Sequence, residues 1–174
     1  MLIFQNNNQT QESGSTLIVA IVILLVLTIL GVFAMQTTTL EERMAGNLRD
    51  RELAFQAAEA ALREGEAFLQ AVVLPPFDGT NGLYQPLDPA LSYLPLWAMI
   101  DWGSASASYK YEGQIQGVFA QPRYIIEELP PVPEPAGSLA ADEPIPDATL
   151  YRITARGVGG TATAVVVLQT TFRR

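Results

Sequence analysis

From Leu17 to Met35 the chain is apolar for nineteen residues, interrupted only by Thr28, and no charge stands between Glu12 and Glu41. At about 1.5 Å of rise per residue, such a helix is roughly 28 Å long, close to the ~30 Å hydrocarbon core of a bilayer. This pattern predicts a membrane-crossing or membrane-anchored helix rather than the core helix of a small soluble domain. A cleaved secretory signal fits poorly. The first fourteen residues hold no Lys or Arg, the run is longer than the usual apolar core, and Gln36-Thr37-Thr38-Thr39-Leu40-Glu41 offers no small-residue cleavage site.

Beyond the run the period becomes that of an amphipathic helix. Between Glu41 and about Gln70, Met44, Leu48, Phe55, Ala58, Leu62 and Leu69 recur at spacings of three, four and seven, which predicts one apolar stripe. Glu52, Glu59, Arg63 and Glu66 fall mostly off it, and Glu59 with Arg63 forms an i,i+4 pair. The two stretches join into one helix expected from about Ser15 to Gln70. Gly31, Gly46 and the capping-box pair Thr39 and Glu42 are the features that would break it, so a break near residues 36–47 stays open.

Residues 71–108 are rich in Pro, Gly and aromatics and read as an irregular connection, with a short helical turn around Leu96–Asp101. Trp97 and Trp102 are expected to cap the domain core. Asp78, Asn81 and Asp88 miss the spacing of a calcium loop, so Asp78-Gly79-Thr80-Asn81-Gly82 reads as a plain turn. From Tyr109 the period is two. Tyr109, Tyr111 and Ile115 alternate with polar residues, Arg123–Leu129 makes a second strand, and Tyr151, Ile153 and Ala155 mark a third. Ala162, Ala164, Val166 and Leu168 mark a fourth, with Gly157-Val158-Gly159-Gly160 as the tight turn of an antiparallel hairpin. Residues 130–146, with six prolines, read as a polar loop.

A sheet with one apolar face needs a partner, and the stripe on residues 44–69 is the one long amphipathic element present. The predicted fold class is therefore α+β. The apolar half of a long N-terminal helix protrudes, and its second half packs on a four-stranded antiparallel sheet spanning 109–172.

Composition narrows the chemistry. With no Cys and no His, disulfides, thiolate metal sites and Cys or His catalysis are excluded, and no cofactor or metal is expected. The balance of 10 Lys+Arg against 18 Asp+Glu disfavours nucleic acid. No P-loop or G-x-S-x-G is present, and Glu127-Glu128 point to opposite faces of a strand, so no enzyme is expected. Arg43, Arg49 and Arg51 are the basic residues nearest the apolar run, and by themselves would place that end in the cytoplasm.

Certain residues carry a resemblance. Glu12-Ser13-Gly14-Ser15-Thr16-Leu17-Ile18 resembles a prepilin leader junction. The block from Thr37 through Arg51, with Leu53-Ala54-Phe55-Gln56-Ala57-Ala58-Glu59-Ala60-Ala61-Leu62, is similar to minor pilins of the PilX family, as is Tyr151-Arg152-Ile153-Thr154-Ala155-Arg156-Gly157. The likeness covers about residues 12–70 and the last two strands, around a variable middle.

The resemblance implies a cleaved prepilin leader at 1–14, cut by the prepilin peptidase between Gly14 and Ser15, with N-methylation of Ser15. It implies a transmembrane and filament-core helix over 15–40, and a head over 41–174. The head comprises helix 41–70, connection 71–108 and sheet 109–172 with its loop at 130–146. It also implies an orientation: leader in the cytoplasm, single pass through the inner membrane, head in the periplasm, and later a place in the pilus at the cell surface. Two positions depart from the pattern. No basic residue precedes Gly14, and the fifth mature position, which in most pilins is glutamate, is Val19. In the family that carboxylate is thought to pair with a neighbour's N-terminal amine. A subunit lacking it leaves a buried amine without a partner, which fits a tip position where no such neighbour stands.

The implied function is that of a minor pilin in the tip or priming complex that initiates type IV pilus assembly. Its partners would be other minor pilins, the major pilin, an adhesin at the tip, and the inner-membrane assembly platform. A type II secretion pseudopilin is the alternative within this class, although the tip member of that set usually carries a larger insertion. A membrane-anchored periplasmic enzyme or solute binder is the alternative outside it.

Overall fold

The computed structural model describes residues 13–86, 94–133 and 147–174. One helix, α1 (Ser13–Leu69), is followed by β1 (Leu83–Tyr84), α2 (Leu96–Met99), β2 (Tyr109–Lys110) and β3 (Arg123–Glu128). After these come β4 (Val132–Pro133), β5 (Asp147–Ala148), β6 (Leu150–Val158) and β7 (Val165–Arg173). Contacts divide the chain into two units that meet between Gly46 and Asn47.

α1 has no break. Thr39 does not act as a helix cap: its hydroxyl donates to the Met35 carbonyl at 3.0 Å, one turn back. Thr37 and Thr38 do the same to Phe33 and Ala34, both at 3.1 Å. A threonine hydroxyl returned to the i−4 carbonyl stays within the helix instead of starting a new one. Gly31 and Gly46 are helical too, with nothing within 4 Å of an added Cβ.

In the second unit, residues 47–69 of α1 lie on a mixed sheet of order β1-β3-β6-β7, with β2 also paired to β3. The four-stranded antiparallel sheet expected from sequence is thus corrected to five strands. The extra one, β1, is parallel to β3, with Leu83 opposite Ile126. β1 is only two residues long, too short for a period to show. A separate pair joins β4 to β5, with Val132 opposite Ala148. The expected loop at 130–146 lies mostly outside the described residues.

The first predicted strand stops early, at Lys110. The Tyr111 N–H still donates to the Pro122 carbonyl at 3.0 Å, and after it the backbone turns to side chains. The Glu112 N–H donates to the Glu64 carboxylate, and the Gln121 amide both accepts from Ile115 N–H at 3.1 Å and donates to Ile115 C=O at 3.0 Å. The last hairpin is present, but its turn lies further on. Gly157 and Val158 stay in β6, Gly159 N–H donates to the Ala164 carbonyl at 2.7 Å, and β7 runs on to Arg173.

The largest correction concerns the helix face. Ala54, Ala57, Ala58, Ala61 and Leu69 are fully buried, whereas Leu48 and Phe55 from the predicted stripe are 70% and 42% exposed. The cause is the closeness of β6. A Cβ on Gly157 would lie 2.1 Å from the Ala54 carbonyl oxygen, and one on Gly65 would lie 2.8 Å from Ile153 Cγ2. At that separation only small residues fit between helix and strand, so along residues 54–65 the sheet takes the Ala/Gly face and Leu48 and Phe55 turn away, whereas Ala58 and Leu69 of the predicted stripe are buried as expected and Leu62 packs against the core. The core forms around Ala61, Leu69, Leu83, Tyr124, Ile126, Tyr151, Ile153 and Ala155. Trp97 and Trp102, expected to cap it, stand outside it. Both are half-buried, and the Trp102 indole N–H donates to the Trp97 carbonyl at 2.9 Å within their own turn.

Candidate assembly surfaces

The first surface is the apolar half of α1. Every large apolar side chain from Leu17 to Met35 is exposed within this chain. Such a surface is stable only in lipid or against other apolar helices. Its hydroxyls are internally satisfied: besides Thr37–Thr39, Thr28 donates to the Leu25 carbonyl at 2.8 Å. A polar side chain bonded to its own helix removes most of the cost of placing it in hydrocarbon. The helix is long and apolar enough to cross a membrane.

The residues singled out for processing lie at the start of this helix. Gly14 and Ser15 fall in the first turn of α1, and Val19 follows one turn later with its side chain exposed.

The second surface lies on the head, where residues 47–69 of α1 meet the end of the sheet. The small-residue packing leaves Leu48 and Phe55 lining a groove with Arg51, Glu52 and Val166 of β7. Nearby, Asp50 anchors the turn between β6 and β7. Its carboxylate accepts from the backbone N–H of Gly160 and of Thr161 and from the Thr161 hydroxyl. Those bonds, led by the hydroxyl, hold its pKa below the ordinary carboxylate value. Sequence reasoning missed this anchor. The signal available was an acid on the helix and a Gly-Gly-Thr run more than a hundred residues later, and no local pattern links them.

Two other polar groups organise the sheet away from the helix. Arg123 donates to the Ser108 hydroxyl and to the carbonyls of Ser104 and Ser108, tying residues 104–108 to β3. Glu127 is only 3% exposed, with the Arg152 guanidinium 3.8 Å away. Burial pushes its carboxyl above the usual range, and Arg152 offsets this only in part. Glu128 is half-buried and accepts from the Gln85 amide at 3.2 Å, so the adjacent acids do not act on a common point.

The candidate calcium loop is a turn. Asp78 accepts from the Thr80 backbone and hydroxyl, and Gly82, at φ +76°, lets the chain pass 3.0 Å from the Tyr109 nitrogen where a Cβ would stand. Asp88 lies outside the described residues. Among the described residues no group of three or more acids, Cys or His is arranged to hold a metal.

A long helix with an apolar first half, and a sheet packed on its small-residue second half, is the arrangement of a pilin. The PilX N-terminal family description matches residues 13–63, and the type IV pilus assembly protein PilX C-terminal description matches residues 43–174. The chain belongs to the PilX family. Together the two matches span both units, so the protein is a minor pilin of type IV pilus assembly. Among curated proteins and among solved structures, nothing matches the chain.

Proposed function

We propose that this PilX-family chain works at the tip of a type IV pilus, in the complex that primes assembly, and that its role is structural. The observation that carries the reading is Val19. In a filament core, an N-terminal amine and a carboxylate are tolerated together because each offsets the desolvation of the other, a cost of several kcal/mol per unpaired ion. With valine at the fifth mature position, a neighbour stacked beyond this subunit lacks its counter-ion, so the tip is the position without a penalty.

The reading includes the processing steps and the compartments. Residues 1–14 form the leader, the prepilin peptidase cuts between Gly14 and Ser15, and Ser15 is N-methylated. Residues 15–40 cross the inner membrane once and later enter the filament core, and 41–174 form a periplasmic head. Other minor pilins, the major pilin, a tip adhesin and the assembly platform are the partners. The exposed apolar half of α1 supports this, because it requires lipid or other helices around it.

Mass spectrometry of the mature protein tests the processing, with a chain beginning at methylated Ser15 expected. An unchanged mature mass after Gly14→Trp overturns the junction. Immunogold labelling of an epitope-tagged chain tests the position. Label at filament ends is expected, and label along the shaft overturns the tip placement. Deletion of the gene is expected to leave few or no surface pili, and normal piliation overturns the priming role.

A further inference from the structure

β2, β3 and β6 lie side by side, and their register sets three cations in line. Lys110 of β2 stands opposite Arg123 of β3, which in turn stands opposite Arg156 of β6. The adjacent Tyr109, Tyr124 and Ala155 pack in or against the core, so strand alternation turns all three cations to the face of the sheet away from it. Like charges directly opposed on neighbouring strands are destabilising. Here the arrangement is repeated across two strand pairs, in a chain whose net charge is −8 and whose one lysine is Lys110.

The chain compensates this row only in part. Arg123 is the best supported, because it donates to the Ser108 hydroxyl and to the Ser104 and Ser108 carbonyls, and the Asp101 carboxylate lies close enough to favour its charge. Asp101 also accepts from the Gly103 N–H at 2.9 Å. Among the described residues, neither Lys110 nor Arg156 takes part in an ion pair or a side-chain hydrogen bond. Other acids near the row are engaged elsewhere. Glu112 acts on Glu64 and Tyr124, and Glu127 has the Arg152 guanidinium 3.8 Å away. With Asp101 set against three cations, two positive charges are left over.

We propose that the row Lys110–Arg123–Arg156 binds a dianionic oxyanion of the phosphate class, free or carried as a phosphomonoester. Such a group matches the excess of two charges and offers several acceptor oxygens to donors that come from three strands, whereas a carboxylate brings one charge and two oxygens. Adjacent strands are about 4.8 Å apart, so the backbones of Lys110 and Arg156 stand roughly 10 Å apart with Arg123 between them. The flexible stem of Lys110 and the planar fork of Arg156 close on the anion from its two sides. Arg123, tethered to residues 104 and 108, supplies fixed charge in the middle. The site belongs to the head alone and does not depend on where in the pilus the chain stands.

The test is a calorimetric titration of the full chain, in micelles of an uncharged detergent, with inorganic phosphate at an ionic strength held constant by chloride. Saturable binding is expected, with a rise in the urea midpoint, because a ligand of the native state alone stabilises it. Lys110→Gln and Arg156→Gln should each weaken binding about tenfold, the loss of one charge-assisted bond. Lys110 is exposed, so its variant keeps the test decisive even if Arg156→Gln fails to fold. Acetate, with a single charge, should bind roughly tenfold more weakly. A parallel titration with glycerol phosphate separates the two sources. Binding as tight as that of inorganic phosphate, or tighter, assigns the site to a carried phosphate, and weaker binding assigns it to the free ion. No saturable phosphate binding, an affinity unchanged in Lys110→Gln, or equal binding of acetate overturns the proposal.

Discussion

Between Leu17 and Met35, α1 presents large apolar side chains to its surroundings, whereas between Ala54 and Gly65 it buries alanines and a glycine against the sheet. The first stretch is apolar without being packed within the chain. The second is packed closely because its side chains are small. Hydrophobicity therefore marks where the helix meets something outside this subunit, and smallness marks where it meets its own sheet. The contrast follows from distance. When backbones approach as near as Ala54 and Gly157, bulk at the joint is excluded and larger residues have to point elsewhere.

The largest effect is expected from Gly157→Val. With the glycine Cβ position already 2.1 Å from the Ala54 oxygen, the side chain forces helix and strand apart. Overpacking commonly costs ~1–3 kcal/mol, and a clash with backbone should exceed that range. Loss of the cooperative urea transition, followed by Trp97 and Trp102 fluorescence of the full chain in detergent, is the expected readout. A stable, folded variant breaks the comparison. Next comes Ile153→Ala, which empties a fully buried site and should lower stability by about 2–5 kcal/mol in the same measurement.

Asp50→Ala is expected to destabilise the head less than Ile153→Ala, by releasing the β6–β7 turn. The sign with pH is fixed by its lowered pKa. The stabilisation from this carboxylate is present above the ordinary Asp value and is lost as pH falls through its folded value. Wild type and variant should therefore converge only as pH falls well below the ordinary Asp value of about 3.9. Glu127→Gln should act in the opposite sense. With its folded pKa raised by burial, the carboxyl favours the fold when protonated, and that contribution fades as pH rises through the folded value. The amide variant should show a flatter stability profile between acid and neutral pH. The smallest effect is expected from Leu24→Ala. Its side chain is exposed within this chain, so the urea midpoint of the head should move by less than about 0.5 kcal/mol.

Much of this was legible in the sequence. The apolar run, the long helix, the α+β class and the last hairpin follow from period and length, and the residues resembling minor pilins fall where the family matches lie. What sequence hid depends on contacts between distant residues. Ala58, Leu62 and Leu69 of the predicted stripe do face the core, but Met44, Leu48 and Phe55 are exposed, because nearer the start of the head the face is chosen by the glycine at 157. β1 escaped because two residues carry no period, and its parallel partner lies more than forty residues away. The Asp50 anchor needs a turn 110 residues later. The strand expected at 109–116 was cut short by a glutamine side chain that imitates a neighbouring strand.

The threonines of the apolar half bear on what a move between lipid and a bundle of helices would cost such a helix. Thr28, Thr37, Thr38 and Thr39 each return the hydroxyl proton to a carbonyl of their own helix. A segment that is self-sufficient in this way draws no hydrogen bond from acyl chains and asks none of neighbouring helices. Leaving one medium for the other then breaks no polar contact at these positions. The transfer becomes an exchange of dispersion partners, with little to hold it back in either direction.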